Sequence, residues 1–122
     1  MDGEVKVFKK VDYSMIPFLL DGRKIDRAFE VSLSEYASKT DLGCGLFRMQ
    51  KNEFELTYPN DEVMLIVDGQ VSIGTGTGEF HLEKGDIIQV REGFHARIRT
   101  TQEVVIFYAS YPVASIRKQA AT

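Results

Sequence analysis

The sequence has one cysteine, two histidines and no apolar run approaching the ~18–20 residues that cross a membrane. Cys44, alone, cannot close an internal disulfide, which points to a reducing compartment, the cytoplasm. Residues 1–10 lack the apolar core of a signal peptide. Charge of neither sign dominates. With 15 basic and 18 acidic residues the formal charge is −3, so the overall balance argues for neither nucleic acid nor a membrane surface as partner. No linker, low-complexity segment or repeat interrupts the chain.

What is present is the text of one β-domain. At 122 residues, 43% of them apolar, the chain is long enough to bury a core, with roughly two-thirds of the unfolded surface removed from water. Short apolar segments divided by turn signals predict strands over 44–51, 53–58, 62–68, 70–74, 79–83, 86–90, 95–100 and 103–111. Val63–Val67 and Val104–Tyr108 are too continuously apolar for strands wet on one face and fit a barrel or sandwich core. Ala96-Arg97-Ile98-Arg99 alternates and should show one face to solvent. Residues 1–43 are less regular and read as an N-terminal arm with edge strands, Glu4–Phe8 and the segment from Val31. Pro17, Asp21-Gly22 and Asp41–Gly43 punctuate loops there. Residues 44–112 form the barrel core, and 113–122 a tail with one or two helical turns. Gly74-Thr75-Gly76-Thr77-Gly78 lacks the Lys-Ser/Thr ending of a phosphate loop and opens no helix; alternating glycines there fit a hairpin needing positive φ.

Spacing then points to a family. Glu62, six residues and Gly69 are followed, fifteen residues on, by Gly85, five residues and Arg91-Glu92-Gly93. These resemble the two half-motifs of the cupins, which implies an all-β, single-domain jelly-roll barrel (a double-stranded β-helix). Metal-binding cupins carry histidines at three places held here by Leu56, Tyr58 and Ala96. Within the cupins the chain is similar to the EutQ-like, ethanolamine-utilization group through Gly43–Phe47, Phe54–Tyr58, Asp61–Val63, Val67–Gly69, Gly85-Asp86 and Phe107–Pro112, over roughly residues 40–113. That group lacks the metal-binding histidines and has been linked to acetate kinase activity and microcompartment-associated ethanolamine metabolism. Two features depart from it: Pro59-Asn60 reads as an insertion, and Arg91 stands where the group has proline.

The resemblance and strand parity together locate the candidate site. Leu56 and Tyr58, two apart, should face into the barrel, with Phe54 below them and Glu62 opening the next strand. Ala96 offers no donor atom, and Glu62 alone cannot hold a first-row metal, so neither metal nor cofactor is expected. His95 is one residue from the third ligand position and should face outward unless a bulge intervenes; His81 reads as a surface residue. Glu62 is either an acid–base group of raised pKa or a remnant bonded inside the barrel, and Tyr58 either donates to a substrate or fills the core. Arg48, if inward, would clamp an anion; Gln89 interrupts an apolar strand and would contact a ligand; Tyr108 would line the pocket. Each of these three has an ordinary reading as surface or core. The functional expectation is a metal-independent cupin holding a small polar or anionic metabolite. Two alternatives stand beside it: an enzyme acting on acetate or acetyl phosphate, which the resemblance implies, and a non-catalytic accessory or assembly subunit whose barrel is a rigid scaffold. The resemblance also implies a homodimer joined through a sheet edge, for which the apolar Met15–Leu20 segment would need a covering surface.

Overall fold

The computed structural model describes residues 5–33 and 42–112. Among the described residues nine strands follow one another: β1 (Ile16–Leu20), β2 (Arg23–Ser32), β3 (Gly43–Met49), β4 (Asn52–Thr57), β5 (Asp61–Gly74), β6 (Glu79–Glu83), β7 (Ile87–Val90), β8 (His95–Thr100) and β9 (Val104–Tyr111). All pairings are antiparallel, and β5 belongs to two sheets. Its first half lies between β9 and β7 in a sheet ordered β1-β2-β3-β9-β5-β7; its second half lies between β6 and β8 in a sheet ordered β6-β5-β8-β4. The apolar inner faces close on a core containing Met49, Ile66, Ile73, Ala96, Ile98, Val104 and Ile106. Among the described residues no helix is long and apolar enough to cross a membrane.

The segments expected as separate strands 62–68 and 70–74 are one bent strand. A register shift between Ile66 and Asp68 carries β5 from one sheet to the other, and Gly69, at φ +80, follows it. A side chain at Gly69 would run into the Glu103 carbonyl, so this bend accepts only glycine.

The N-terminal region departs most from its sequence reading. Val5–Lys9 is irregular rather than extended in a sheet, and a short 3₁₀ turn (Lys10–Asp12) follows. Met15–Leu20, read as loose apolar chain, contributes an ordered strand. Pro17 sits inside β1 because β1 is the sheet edge, where a missing N–H removes no outer ladder bond. The register slips between Pro17 and Leu19, and Phe18 packs against Phe47 and Phe54 at ring-centroid distances of 5.2 and 5.6 Å. Asp21 (φ 52) and Gly22 (φ 80) join β1 to β2 as the two left-handed residues of a tight hairpin. The tail expected over 113–122 lies outside the described residues.

β3 opens with Gly43 and Gly45 on its inner face, and Gly45 stands directly opposite Tyr108 of β9. A methyl group at Gly45 would overlap the Tyr108 phenol and the Val31 carbonyl. Gly45→Ala is therefore expected to cost about 1–3 kcal/mol through overpacking. Urea denaturation measures this; an unchanged midpoint would mean that the Tyr108 ring is free to move aside.

Candidate functional site

A cavity of ≈ 290 Å³ lies inside the barrel. Its apolar wall is built by Phe18, Phe47 and Phe54, whose rings meet one another, with Leu56, Met64, Ile73, Ile98 and Ile106. Its polar end is formed by Glu62, Glu30, Tyr58 and Tyr108, and its lining reaches the exposed Asp21-Gly22 turn. Among these lining residues there is no lysine, arginine or histidine.

Strand parity positions the polar end. Glu62 sits in β5 between Val90 of β7 and Ser110 of β9, on the face that also carries Met64 and Ile66. Burial, with the Glu30 carboxylate as second cause, pushes its carboxyl up to about 7. Tyr58 lies just beyond β4 and is only 5% exposed. The turn that ends the second half-motif holds it in place: Gly93 N–H donates to the Tyr58 carbonyl and Tyr58 N–H to that of Phe94, each at 2.9 Å. The Tyr58 ring stacks on Phe94 at 6.2 Å, and its hydroxyl donates to Met64 Sδ at 3.6 Å. Burial and the Glu62 charge raise the Tyr58 phenol well above its ordinary range, and burial does the same for Tyr108, whose hydroxyl bonds the Ser32 side chain. Both tyrosines are thus hydrogen-bonding neutral phenols, and Glu62 is the group poised to exchange a proton near neutral pH.

The structure brings together Glu62, Tyr58 and Tyr108, three of the five residues singled out from the sequence. Arg48 and Gln89 do not join them. In β3 the inward positions are Gly43, Gly45, Phe47 and Met49, so Arg48 projects from the opposite face, where its guanidinium lies 5.1 Å from the Phe29 ring centroid. In β7 the inward residues are Ile88 and Val90; Gln89 faces outward and lines a separate groove with Phe80, Ile87 and Phe94. The anion clamp assigned to Arg48 is therefore absent from the cavity. Sequence reasoning missed Glu30 and Phe18. Glu30 pairs with Phe47 in register, and alternation across Ala28, Glu30 and Ser32 would have placed it inward had β2 been read as a full strand.

The histidine-bound metal of metal-binding cupins does not fit these residues. At the three ligand places Leu56 and Ala96 (0% exposed) are apolar and Tyr58 is a buried phenol. His95 points away from the barrel interior, bonded to Thr57 at 2.9 Å and near Glu55 at 3.4 Å; His81 does likewise beside Ser72 at 2.8 Å. Among the described residues no three His, Cys, Asp or Glu side chains group as metal ligands. The glycine-rich turn after β5 is no phosphate cradle either. The Thr75 hydroxyl takes up the Thr77 and Gly78 amides at 3.2 and 3.0 Å, and neither Gly76 nor Gly78 adopts the positive φ expected of them.

Comparison with known proteins agrees with this architecture. The model of the family described as ethanolamine utilisation protein EutQ matches residues 7–116. The acetate kinase EutQ of Clostridioides difficile (strain 630) is 23% identical over 91 residues, covering 75% of this chain and 58% of that protein. The chain thus spans less than two-thirds of that relative's length. Among solved structures, the C. difficile EutQ protein superposes with a TM-score of 0.62 at 24% identity, over 70% of this chain and 62% of that one. A putative EutQ from Salmonella typhimurium LT2 gives 0.75 at 18% identity, over 88% and 86%. A cupin-2 domain protein from Shewanella frigidimarina NCIMB 400 gives 0.55 at 19% identity, over 62% and 74%. The fold is that of a cupin.

A carboxyl group raised from 4.5 to about 7 in the folded chain ties stability to pH. Below pH ~4.5 it is protonated in both folded and unfolded states and costs nothing. As pH rises towards 7 the unfolded chain gains the freedom to ionise and the folded one does not, so stability is lost across that window. Glu62→Gln, neutral at every pH, is expected to match the wild type near pH 4 and to exceed it above pH 7, by an amount on the order of 3 kcal/mol. Denaturation across this range checks it; parallel pH profiles would show that Glu62 titrates normally.

Proposed function

Since the chain belongs to the ethanolamine utilisation EutQ family of cupins, we propose that its barrel binds a small polar metabolite in the cavity around Glu62 and that it needs no resident transition metal to do so. One observation carries this reading. The barrel interior, instead of being filled, keeps a cavity of ≈ 290 Å³ with a titratable carboxyl and two phenols at one end of an apolar wall. That volume is at the lower end of the ~300–1,000 Å³ typical of ligand pockets. A rigid scaffold subunit would have no use for a carboxyl group kept in apolar surroundings at the cost of its ionisation. A single cysteine, Cys44, has no second cysteine in the chain with which to form a disulfide, which fits a reducing compartment, and we place the protein in the cytoplasm on that ground.

A second reading comes from the C. difficile relative, which is named an acetate kinase. Acetate is small enough for the cavity, with Glu62 and Tyr58 at the reacting end. A nucleotide would have to sit outside it, because the lining holds no cation for its phosphates.

We also propose that two copies pair through the outer face of the first sheet. Val63 and Leu65 of β5, Ile87 of β7 and Tyr111 of β9 project from that face, and Ile87 is 66% exposed. The outer face of the second sheet is charged instead, with Arg97–Glu53 at 3.8 Å and Arg99–Glu79 at 2.5 Å. Such an imbalance suits a protein in which one sheet is covered and the other wet.

A thermal-shift screen of small metabolites and divalent metals is expected to find a metabolite that raises Tm by mass action, an effect removed by Glu62→Gln, and no comparable effect of any metal. Release of ADP from ATP in the presence of acetate would select the kinase reading. Light scattering at micromolar concentration is expected to give twice the 13.8 kDa chain mass; a value near 13.8 kDa would refute the pairing.

A further inference from the structure

The apolar wall and the polar end of the cavity make different demands on an occupant. Phe18 of β1, Phe47 of β3 and Phe54 of β4 meet edge-on or tilted, with centroids 5.2–6.0 Å apart and interplanar angles of 52–85°. Rings set in this way offer edges and faces to a further ring, the packing that aromatic groups prefer. A dry cavity of ~150 Å³ is enough for a benzene ring. The ≈ 290 Å³ found here has room for a six-membered ring with a small substituent. At the polar end stands the Glu62 carboxyl, which keeps its proton up to about pH 7. Burial and the Glu30 charge, rather than a hydrogen bond to a described residue, hold that proton in place. The two phenols are engaged elsewhere: Tyr58 donates to Met64 Sδ at 3.6 Å, and Tyr108 bonds the Ser32 side chain. The Glu62 O–H is thus left for an occupant.

From this juxtaposition we propose that the cavity recognises a small, flat, uncharged aromatic heterocycle, its ring seated among the three phenylalanines and a ring nitrogen accepting the Glu62 O–H. A carboxylic O–H is a strong donor and a pyridine-type nitrogen a good acceptor. The bond between them carries no net charge into apolar surroundings, where such a bond is strengthened. An anion would receive no counter-charge from the lining, which holds no lysine, arginine or histidine. A cation would have to drive off the proton that burial favours on Glu62. A polyol would set hydroxyl groups against phenyl rings, where they lose the hydrogen bonds that water gives them. The assignment rests on the reading that the cavity binds a small molecule, and it names the class of that molecule.

This recognition depends on pH. The titratable groups that line the cavity with Glu62 are Glu30 of β2, Tyr108 of β9 and Tyr58 beyond β4, with Asp21 in the β1–β2 turn. β7 sets Val90 opposite Glu62, and Asp61 on its own strand accepts the Glu92 N–H at 3.0 Å. The bond to the ring nitrogen needs a proton on Glu62 and none on the free ligand. Affinity therefore falls as pH rises through about 7, where Glu62 ionises in the free protein. It falls again in acid, where the heterocycle is itself protonated.

Three probes of one shape test the assignment on the full chain by isothermal titration: pyridine, benzene, which lacks the acceptor, and N-methylpyridinium, which replaces it with a fixed positive charge. Pyridine is expected to bind most tightly, with an affinity roughly a hundredfold lower at about pH 9 than at about pH 6. Glu62→Gln is expected to weaken binding and remove the alkaline fall, because an amide N–H is the weaker donor and does not titrate. Phe18→Leu is expected to weaken binding and leave the pH profile intact. The unliganded melting temperature of each variant shows that it is folded. Benzene binding as tightly as pyridine, or a flat pH profile for pyridine, would overturn the role given to the Glu62 proton. Preference for N-methylpyridinium would overturn the uncharged class. Binding of pyridine that is insensitive to both substitutions would overturn the assignment to this cavity. Failure of all three probes at millimolar concentration would overturn the aromatic class, and only an empty metabolite screen would take the binding reading with it.

Discussion

The bend of β5 between Ile66 and Asp68 sets the orientation of side chains along both sheets. Before it, the even positions Glu62, Met64 and Ile66 face inward; after it, the odd positions Val71 and Ile73 do. Strand side chains repeat every two residues, so a one-residue slip reverses the buried face. Here that slip lets one strand leave one sheet and join the other with its apolar residues still pointing at the same interior. Gly69 is the local requirement, since the strand passes so close to the Glu103 carbonyl that no side chain fits. The cavity inherits this geometry: Glu62 at its polar end and Ile73 in its apolar wall belong to the same strand on either side of the bend.

How much of this the sequence disclosed depended on whether parity could be anchored. In β4 it could, because Phe54, Leu56 and Tyr58 alternate with charged or polar neighbours, and all three line the cavity. Glu62 and Tyr108 followed from the half-motifs and from the apolar closing strand. In β3 the anchor was missing. Two of its inward residues are glycines, which mark no face, so Arg48 could be imagined on either side. Gln89 lies in a four-residue strand with apolar neighbours on both faces, where alternation says nothing. Phe18 was hidden by Pro17, a loop signal that is overridden at a sheet edge, and Glu30 by the weak pattern of β2. The Pro59-Asn60 step, read as an insertion at the mouth, is fixed in place: Asn60 is buried and donates to the Pro112 carbonyl at 3.2 Å.

The acidic groups of this chain divide between two physical roles. On the outer face of the second sheet, Glu53, Glu55 and Glu79 stand beside Arg97, His95 and Arg99 in water, where such pairs contribute little to stability and serve mainly to keep the face wet. Inside, Glu62 is deprived of solvent, and the balance is struck by holding on to its proton. Burial here creates an acid that changes state near neutral pH. The phenols beside it remain neutral over that range, so of these three groups Glu62 is the one that exchanges a proton there.

The hairpin of β1 and β2 has a consequence for traffic. Among the described residues β1 pairs with one neighbour, β2, yet it delivers Phe18, Leu19, Leu20 and the Asp21-Gly22 turn to the cavity lining. Edge segments open at a fraction of the free energy that unfolds a whole domain. The inner strands β5 and β9, paired on both sides, have no such freedom. The side of the cavity that completes the aromatic wall is thus also the side the fold holds least, and a single phenylalanine, Phe18, closes the interior from an edge strand.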